Sequence, residues 1–335
     1  MRVPSELDRA LGALYGLAIG DALGMPTQLL SPDEVQRRFG SISWFQPAPE
    51  DHPIAAGLPA GHVTDDTEQA LLIARLLIEG RGRIAPLTLA RSLAEWERDM
   101  ARRGSRDLLG PSTQRAIAAV AAGTSVDEAG RFGDTNGAAM RVTPVGIANA
   151  IDDLDGLLQA VVDASGVTHS TTLALAGASA VAAAVSSGVA GASVDEALEA
   201  GVSAARLGRN RGSWVAGADV AARIEAALDG VRGLAQDDLV VFIRNVVGTS
   251  VATQESVPAA FAVLRAAGDG GVWRACLLAA SLGGDSDTIA AIAGAIGGSC
   301  QGVGAFPPDA VSLVKTVNEL ALEPTADQLL QLRSK

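Results

Sequence analysis

The stretch GGDSDTIAAIAGAIGG, residues 283–298, combines an apolar helical pattern with two acids at its start. Its residues are mostly Gly, Ala and Ile, yet Asp285 and Asp287 stand together near its first residue. The run of small and apolar residues predicts a helix over about 287–300 that packs inside the protein. Buried carboxylates are unfavourable unless they are paired, hydrogen-bonded or bound to a metal ion. We therefore ask what holds two acids at the start of a core helix.

The composition favours a large helical bundle with an aliphatic core. The chain has 335 residues, of which 48% are hydrophobic and only 3% are aromatic. The core must therefore consist of Ala, Leu, Val and Ile, and the 38 glycines allow helices to approach each other closely. This length is compatible with one large helical domain, and we expect a single domain over 1–335.

The net charge and the N-terminal sequence indicate which binding partners and which cellular compartment to expect. The net charge is −12, and Lys315 and Lys335 are the only lysines. No basic stripe is present, so we expect no nucleic-acid binding, and the acidic surface disfavours anionic membranes. We find neither a signal-peptide pattern in MRVPSELDRALGALYG nor an apolar run that predicts a membrane span. We expect a cytoplasmic protein in which Cys276 and Cys300 are buried free thiols rather than a disulfide.

A helix with a glycine ridge is predicted near the N-terminus. Ser5 and Glu6 open an apolar periodic run, which predicts a capped helix over about 5–24. Glycine recurs there every four residues, on one helix face, at Gly12, Gly16, Gly20 and Gly24. The same spacing occurs in membrane helix dimers, but Asp21 and the short apolar length oppose that interpretation. We expect the ridge to pack closely against another helix in the core.

The rest of the chain predicts further helices and almost no strands. Residues 40–63 are rich in Pro and Gly and predict an irregular loop. The segment DDTEQALLIARLLIEG predicts a helix that ends at Gly80. Other helices are expected near 86–103, 113–123, 136–150, 154–165, 171–190, 193–207, 215–229, 236–247, 257–267, 272–282 and 309–320. The predicted fold class is all-α.

Two acidic clusters each open a predicted helix, and each contains two acids and one threonine. Their members are Thr64, Asp65 and Asp66 in VTDDTEQALL, and Asp285, Asp287 and Thr288 in GGDSDTIAAI. An acid at a helix start can simply cap the unpaired N–H groups, but a cap uses only one oxygen acceptor. The surplus oxygens suit hard cations such as Mg²⁺, Mn²⁺ or Ca²⁺. Zinc is disfavoured, because the chain has three histidines and no Cys/His ligand spacing.

Five short motifs follow one another along the chain. They are GDALGMP (20–26), VTDDT (63–67), TNGAAMRVTPVG (135–146), THS (168–170) and GGDSDT (283–288). In this order they resemble the motifs of the ADP-ribosylglycohydrolase family, typified by the dinitrogenase-reductase activating glycohydrolase. The resemblance covers about residues 9–320. Together with ESVPAA (255–260), the first motif resembles the bacterial branch of the family.

The resemblance implies an all-α, orthogonal helical bundle with two Mg²⁺ or Mn²⁺ ions in a central cleft. By motif, the metal ligands would be Thr64, Asp65, Asp66, Asp285, Asp287 and Thr288. The family commonly has Glu four residues after the glycine of GDxxG, where this chain has Gln28. We expect Gln28 to contact the substrate; it can ligate through oxygen but cannot carry a proton. The general acid is therefore left unassigned.

The resemblance also implies a substrate-binding loop. This turn-rich segment consists of Gly133, Asp134, Thr135, Asn136 and Gly137. It can be an ordinary capped turn, but in the family it lines the cleft, so we expect its N–H groups and Asn136 to contact ribose or phosphate. His169 lies at a helix entrance and is either structural or ligand-binding. Glu255 either caps a helix beginning near Pro258 or contacts the ligand, and we expect Arg141 to be structural.

The function that the resemblance implies is hydrolysis of a ribosyl C1 bond. Two metal ions would bind the ribose hydroxyls and activate water. Asp66 and Asp287 would be the catalytic carboxylates nearest the reacting centre, where they stabilise oxocarbenium-like charge. The substrate would be an ADP-ribosylated protein side chain or another ADP-ribose conjugate. Two alternatives stay open: a small ribosyl compound such as a nucleoside, and a non-catalytic protein that binds metal or ADP-ribose.

Overall fold

The chain is almost entirely helical. The computed structural model describes residues 3–106 and 109–333, with all of their side chains except that of Asp269. Within these ranges no β-strand forms, and the extended pairings are two isolated bridges, Thr135 with Ala252 and Thr171 with Ser213. The predicted all-α fold class is confirmed.

Eighteen α-helices follow one another along the described residues. They are α1 (Glu6–Gly24), α2 (Pro32–Phe39), α3 (Asp65–Glu79), α4 (Pro86–Arg102), α5 (Pro111–Ala121), α6 (Val126–Ala129), α7 (Gly137–Met140), α8 (Thr143–Ala148), α9 (Leu154–Ser165), α10 (Thr172–Val189), α11 (Val194–Gly208), α12 (Val220–Gly230), α13 (Gln236–Phe242), α14 (Thr253–Ala267), α15 (Gly271–Ala280), α16 (Ser286–Gln301), α17 (Pro308–Val317) and α18 (Leu322–Arg333). A π-helical turn over Ile243–Val247 extends α13.

The glycine ridge of α1 packs closely against another helix, as predicted, and that helix is α16. Gly16 faces Gly294, and Gly20 faces Ala290, so the two helices run antiparallel. A Cβ atom added to Gly16 or Gly20 would lie 2.1 or 2.0 Å from the facing carbonyl oxygen. Only glycine allows this approach of two backbones. At the end of the ridge, Gly24 lies against the backbone of Asp287, and this contact places the end of α1 beside the first turn of α16.

Two predicted helices differ from the observed ones because of proline. Residues 136–150 form two short helices, α7 and α8, since Pro144 near the start of α8 cannot continue the preceding helix. Helix α14 begins at Thr253 rather than near Pro258, which lies inside it. Pro258 cannot donate to the carbonyl of Gln254, and this carbonyl instead accepts a bond from Arg223 Nε at 3.2 Å.

Three helices, α2, α6 and α18, were not predicted. Helix α2 carries a full capping box, in which Ser31 and Glu34 bond to each other's backbone N–H groups. Helix α18 is held by Arg333, which donates to the carbonyls of Asn149 and Ser186. The fold therefore continues beyond residue 320, where the family resemblance was expected to end.

Helix α10 is the one described helix whose length and composition would suffice to cross a membrane. Its apolar window is 94% buried within the fold, and a core helix passes the same test. Cys276 and Cys300 are buried free thiols, as predicted, and burial raises their pKa values to about 12 and about 11.

Candidate functional site

The first turns of α3 and α16 meet in the interior of the protein. Thr288 Oγ1 donates to Asp66 Oδ2 at 3.2 Å, a contact between residues 222 positions apart. Asp66 and Asp287 are 1% and 2% exposed, and Asp65 is half-buried. The fold thus brings together the two acidic clusters, which we call the acidic centre: Thr64, Asp65, Asp66, Asp285, Asp287 and Thr288.

Negative charge accumulates around Asp66. Burial raises the pKa of Asp66 well above its ordinary value, and repulsion from Asp287, Asp65, Asp21 and Asp285 raises it further. Asp66 Oδ1 is buried and has no hydrogen-bond partner within the protein. Such an arrangement is unfavourable unless a positive charge or a proton is present. The acidic centre is therefore suited to a cation.

Asp285 connects the acidic centre to the predicted substrate loop. It precedes α16 and accepts a hydrogen bond from Asn136 Nδ2, which also donates to Ser256 Oγ at 2.9 Å. Burial raises the pKa of Asp285 to about 6, while its bonds with Asn136 and Thr288 act in the opposite direction. Asn136, which we predicted to contact the substrate, therefore also lies in contact with the acidic centre.

Asp21 contacts the acidic centre, and the sequence analysis assigned it no role there. It is fully buried and accepts bonds from the backbone N–H groups of Thr64 and Thr67 and from both hydroxyls, the latter at 2.8 and 2.5 Å. These bonds fix the turn that precedes α3. They also use the hydroxyl proton of Thr64, which leaves its oxygen lone pairs available to a ligand. The signal was present, since Asp21 is the one acid within the glycine ridge.

The donor set of the acidic centre fits hard cations. It consists of oxygen atoms from carboxylates and threonine hydroxyls, which Mg²⁺ and Mn²⁺ prefer. No three His, Cys, Asp or Glu side chains of residues 3–106 and 109–333 form a metal-binding group by themselves. The threonine hydroxyls and the unpartnered oxygen of Asp66 therefore contribute to the suitability of the acidic centre for a hard cation.

The predicted substrate loop packs on His169. Thr135 Oγ1 lies 3.0 Å from His169 Nε2, and a Cβ atom on Gly137 would lie 2.9 Å from His169 Cε1. The N–H of Asn136 donates to Val251, so it is already used within the fold. The side chain of Asp134 is exposed, and its carbonyl accepts a bond from Thr253 Oγ1 at 2.8 Å. The Gly133 carbonyl likewise accepts from Thr171 Oγ1 at 2.6 Å.

A buried Arg141 links this loop to the acidic centre. Its guanidinium donates to Gln69 Oε1 at 3.1 Å and to Thr168 Oγ1 at 2.7 Å. Gln69 in turn donates to Asp65 Oδ2 at 2.8 Å. Burial lowers the pKa of Arg141 to about 10, and Asp65 opposes that shift. Arg141 is thus a residue that positions both sides of the site.

The same network holds both ring nitrogens of His169. Nδ1 lies 2.8 Å from Thr168 Oγ1, and Nε2 lies 3.0 Å from Thr135 Oγ1. Thr168 Oγ1 also contacts the Ser165 carbonyl at 3.2 Å. Burial lowers the pKa of His169 well below its ordinary value, with a smaller effect of Arg141, so the ring is neutral.

Gln28 lies next to the acidic centre along the backbone. Leu29 N donates to Gly284 O at 2.6 Å, and Gly284 N donates to Leu30 O at 3.0 Å. Gly284 directly precedes Asp285. Gln28 itself is 4% exposed, and its Nε2 has no hydrogen-bond partner.

Two cavities lie beside the site. One of about 450 Å³ is bordered by Gly284, Glu255, Arg223 and Arg244. Glu255 lies in the first turn of α14 and accepts from the N–H of Ser250 at 3.2 Å, so it holds a neighbouring loop. Another cavity, of about 1180 Å³, extends along α3 and α4, and none of the six residues of the acidic centre lines it.

The all-α fold and a buried acidic centre whose donor atoms are all oxygens together define a narrow structural class. The chain belongs to the ADP-ribosylglycohydrolase family, whose model matches residues 2–335. A solved structure titled "ADP-ribosylglycohydrolase-related protein complex" superimposes with a TM-score of 0.68, at 26% identity, over 98% of this chain and 99% of that one.

The chain is similar to three curated proteins. It is 37% identical to the uncharacterised protein YegU of Escherichia coli (strain K12), over 98% of both chains. It is 31% identical to the ADP-ribosyl-(dinitrogen reductase) glycohydrolase of Rhodospirillum rubrum, over 44% of this chain and 47% of that protein. It is 28% identical to the ADP-ribosylarginine hydrolase Tri1 of Pseudomonas putida (strain GB-1), over 96% of this chain and 81% of that one.

Proposed function

We propose that the protein is a divalent-cation-dependent hydrolase of the C1 glycosidic bond in an ADP-ribosylated protein side chain or another ADP-ribose conjugate. The observation that supports this most strongly is the convergence of Asp66, Asp285 and Thr288 from distant parts of the chain. The family is one of glycohydrolases, and two relatives are named for hydrolysis of ADP-ribosyl groups.

The acidic centre would hold two divalent cations, Mg²⁺ or Mn²⁺. Its ligands would be Thr64, Asp65, Asp66, Asp285, Asp287 and Thr288. When bound, the cations supply positive charge that fixes ribose hydroxyls and lowers the pKa of water. Asp21 holds the Thr64 turn in place, and Arg141 orients Asp65 through Gln69.

The carboxylates and the loop would act on the sugar. Asp66 and Asp287 place negative charge where the ribosyl carbon becomes oxocarbenium-like, and this charge favours the transition state over the substrate. Asn136 donates both amide N–H groups to Asp285 and Ser256, so only its Oδ1 would be left to accept from a ribose hydroxyl. Thr135, within the same loop, lies 3.0 Å from neutral His169 and would be held in place by it.

A hydrolysis screen tests this proposal. The purified protein is incubated with Mg²⁺ or Mn²⁺ and with ADP-ribosyl-arginine, ADP-ribosyl-serine, O-acetyl-ADP-ribose and common nucleosides. We expect release of ADP-ribose from at least one conjugate, and loss of that release in Asp287→Asn but not in Asp309→Asn, which alters an exposed acid in the first turn of α17. Hydrolysis of nucleosides alone would contradict the proposal in favour of a small ribosyl substrate.

A further inference from the structure

Gln69 is a buried amide whose two ends contact different parts of the site. It lies in α3, one turn after Asp65, and is 1% exposed. Its Oε1 accepts from Arg141 at 3.1 Å, and its Nε2 donates to Asp65 Oδ2 at 2.8 Å. The side chain of Gln69 therefore joins a buried guanidinium to one of the proposed cation ligands.

The orientation of the Gln69 amide follows from the chemistry of its partners. A guanidinium has donors and no acceptor, so the atom that faces Arg141 must be the amide oxygen. The amide nitrogen then faces Asp65 and donates to its carboxylate. Arg141 is itself 1% exposed and also donates to Thr168 Oγ1 at 2.7 Å, so its position is fixed from a second side. Gln69 is thus held at its oxygen and directed at Asp65 with its nitrogen.

The second acidic cluster has the same arrangement. Asp285 accepts from Asn136 Nδ2, which also donates to Ser256 Oγ at 2.9 Å. Asn136 is 5% exposed, so this amide is buried as well. In each cluster, one carboxylate is oriented by a buried amide: Asp65 by Gln69, and Asp285 by Asn136. Replacing a side chain that orients a metal ligand typically weakens metal binding by about 10–100-fold.

A similar series of bonds occurs on α9, where it has no acidic centre to orient. Gln159 donates to Asp163 Oδ1 at 2.9 Å and accepts from Arg211 Nη1 at 3.4 Å. Both Gln159 and Asp163 are half-buried, and a Gln–Asp pair one turn apart is an ordinary helix contact. The same three side-chain types therefore provide a matched control for the buried series that ends on Asp65.

We propose that Gln69 is a positioning residue that makes the acidic centre selective for Mg²⁺ over Ca²⁺. This inference rests on the cation site of the proposed function. Mg²⁺ requires near-ideal octahedral geometry with short bonds to oxygen, whereas Ca²⁺ accepts flexible geometry with longer bonds. A carboxylate that Gln69 holds in one orientation suits the stricter ion. Without that bond the carboxylate of Asp65 can rotate, and this rotation disfavours Mg²⁺ much more than Ca²⁺.

Gln69→Met tests the inference by calorimetry with Mg²⁺ and with Ca²⁺, at a temperature where both proteins are folded. Met fills a similar volume but cannot donate to Asp65. We expect the Kd for Mg²⁺ to rise about 10–100-fold and the Kd for Ca²⁺ to change little. Gln159→Met should leave both Kd values as in wild type. If Gln69→Met does not fold, Gln69→Asn is the second variant, because its shorter amide cannot reach both partners and should shift the ratio in the same direction.

Thermal unfolding in EDTA separates this role from a purely structural one. A side chain that only supported the fold would lower the unfolding temperature in EDTA when replaced and would leave the ratio of the two Kd values unchanged. That result, or equal binding of Mg²⁺ and Ca²⁺ by wild type, would overturn the inference and leave the proposed function intact. A wild-type protein that binds neither cation would contradict the proposed function itself.

Discussion

Replacement of Asp285 by Asn should stabilise the protein when no divalent cation is present. The pKa of Asp285 is raised from 3.8 to about 6, so its ionised form is disfavoured in the fold. This difference in pKa between the unfolded and folded states corresponds to about 3 kcal/mol of stability at pH 7. Below about pH 4, Asp285 is protonated in the folded and the unfolded protein, and its contribution to the free energy of unfolding is fully present. This contribution is lost as the pH rises through about 6. Asn is neutral at every pH and can still accept from Asn136.

Thermal unfolding in EDTA measures this effect. With an unfolding entropy of about 2.1 cal/mol/K per residue, a chain of this length gains about 4 °C from 3 kcal/mol. Asp285→Asn should therefore unfold up to about 4 °C above wild type at pH 7 and at the same temperature as wild type at pH 4. Asp309→Asn, an exposed acid at the start of α17, is the matched control and should not differ from wild type.

Addition of Mg²⁺ should remove the difference in unfolding temperature between the two proteins. A ligand at 100 times its Kd stabilises the folded state by about 2.7 kcal/mol, which again corresponds to about 4 °C. Wild type should show this gain, and Asp285→Asn should not, because a ligand charge is missing. The reasoning is refuted if the variant is less stable than wild type in EDTA at pH 7 and still responds to Mg²⁺.

Three further substitutions test the framework by thermal unfolding. Gly20→Ala should lower the free energy of unfolding by about 3 kcal/mol or more, because its Cβ would lie 2.0 Å from a backbone oxygen. Gly304→Ala, which has open space around it, should lower it by under about 1 kcal/mol. Asp21→Asn should cost about 2–4 kcal/mol and remove the Mg²⁺ response, because the Thr64 turn loses acceptors. Arg333→Ala should lower the free energy of unfolding by about 2–4 kcal/mol, because Arg333 bonds to the Asn149 carbonyl and to Glu6. Arg102→Ala removes only an exposed ion pair and should lower it by under about 0.5 kcal/mol.

The sequence was sufficient to predict that α1 packs closely against another helix, because glycine recurs at every fourth position of one face. It did not identify the partner, which the structure shows to be α16. The acids at the starts of α3 and α16 predicted cation binding, because their surplus oxygens exceeded the needs of capping. That the two clusters form one shared centre was implied by the resemblance to the family rather than by the local pattern.

Other features depend on contacts that no local pattern contains. Pro258 could lie inside α14 because Arg223, from α12, satisfies the carbonyl that proline leaves free. Asp21 holds the turn before α3 from another helix, and His52 reaches Gln28 from an irregular loop. These partners lie far from each other in sequence, so only the folded chain identifies them.

The central claim is best tested by release of ADP-ribose from an ADP-ribosyl-arginine conjugate in Mg²⁺. We expect wild type to release free ADP-ribose continuously and Asp287→Asn to release none above background, with both proteins folded. The contrary result would be a wild-type protein that is stabilised by Mg²⁺ and binds ADP-ribose but releases none from this or any other conjugate. That outcome would make the protein a non-catalytic binder that has kept the acidic centre.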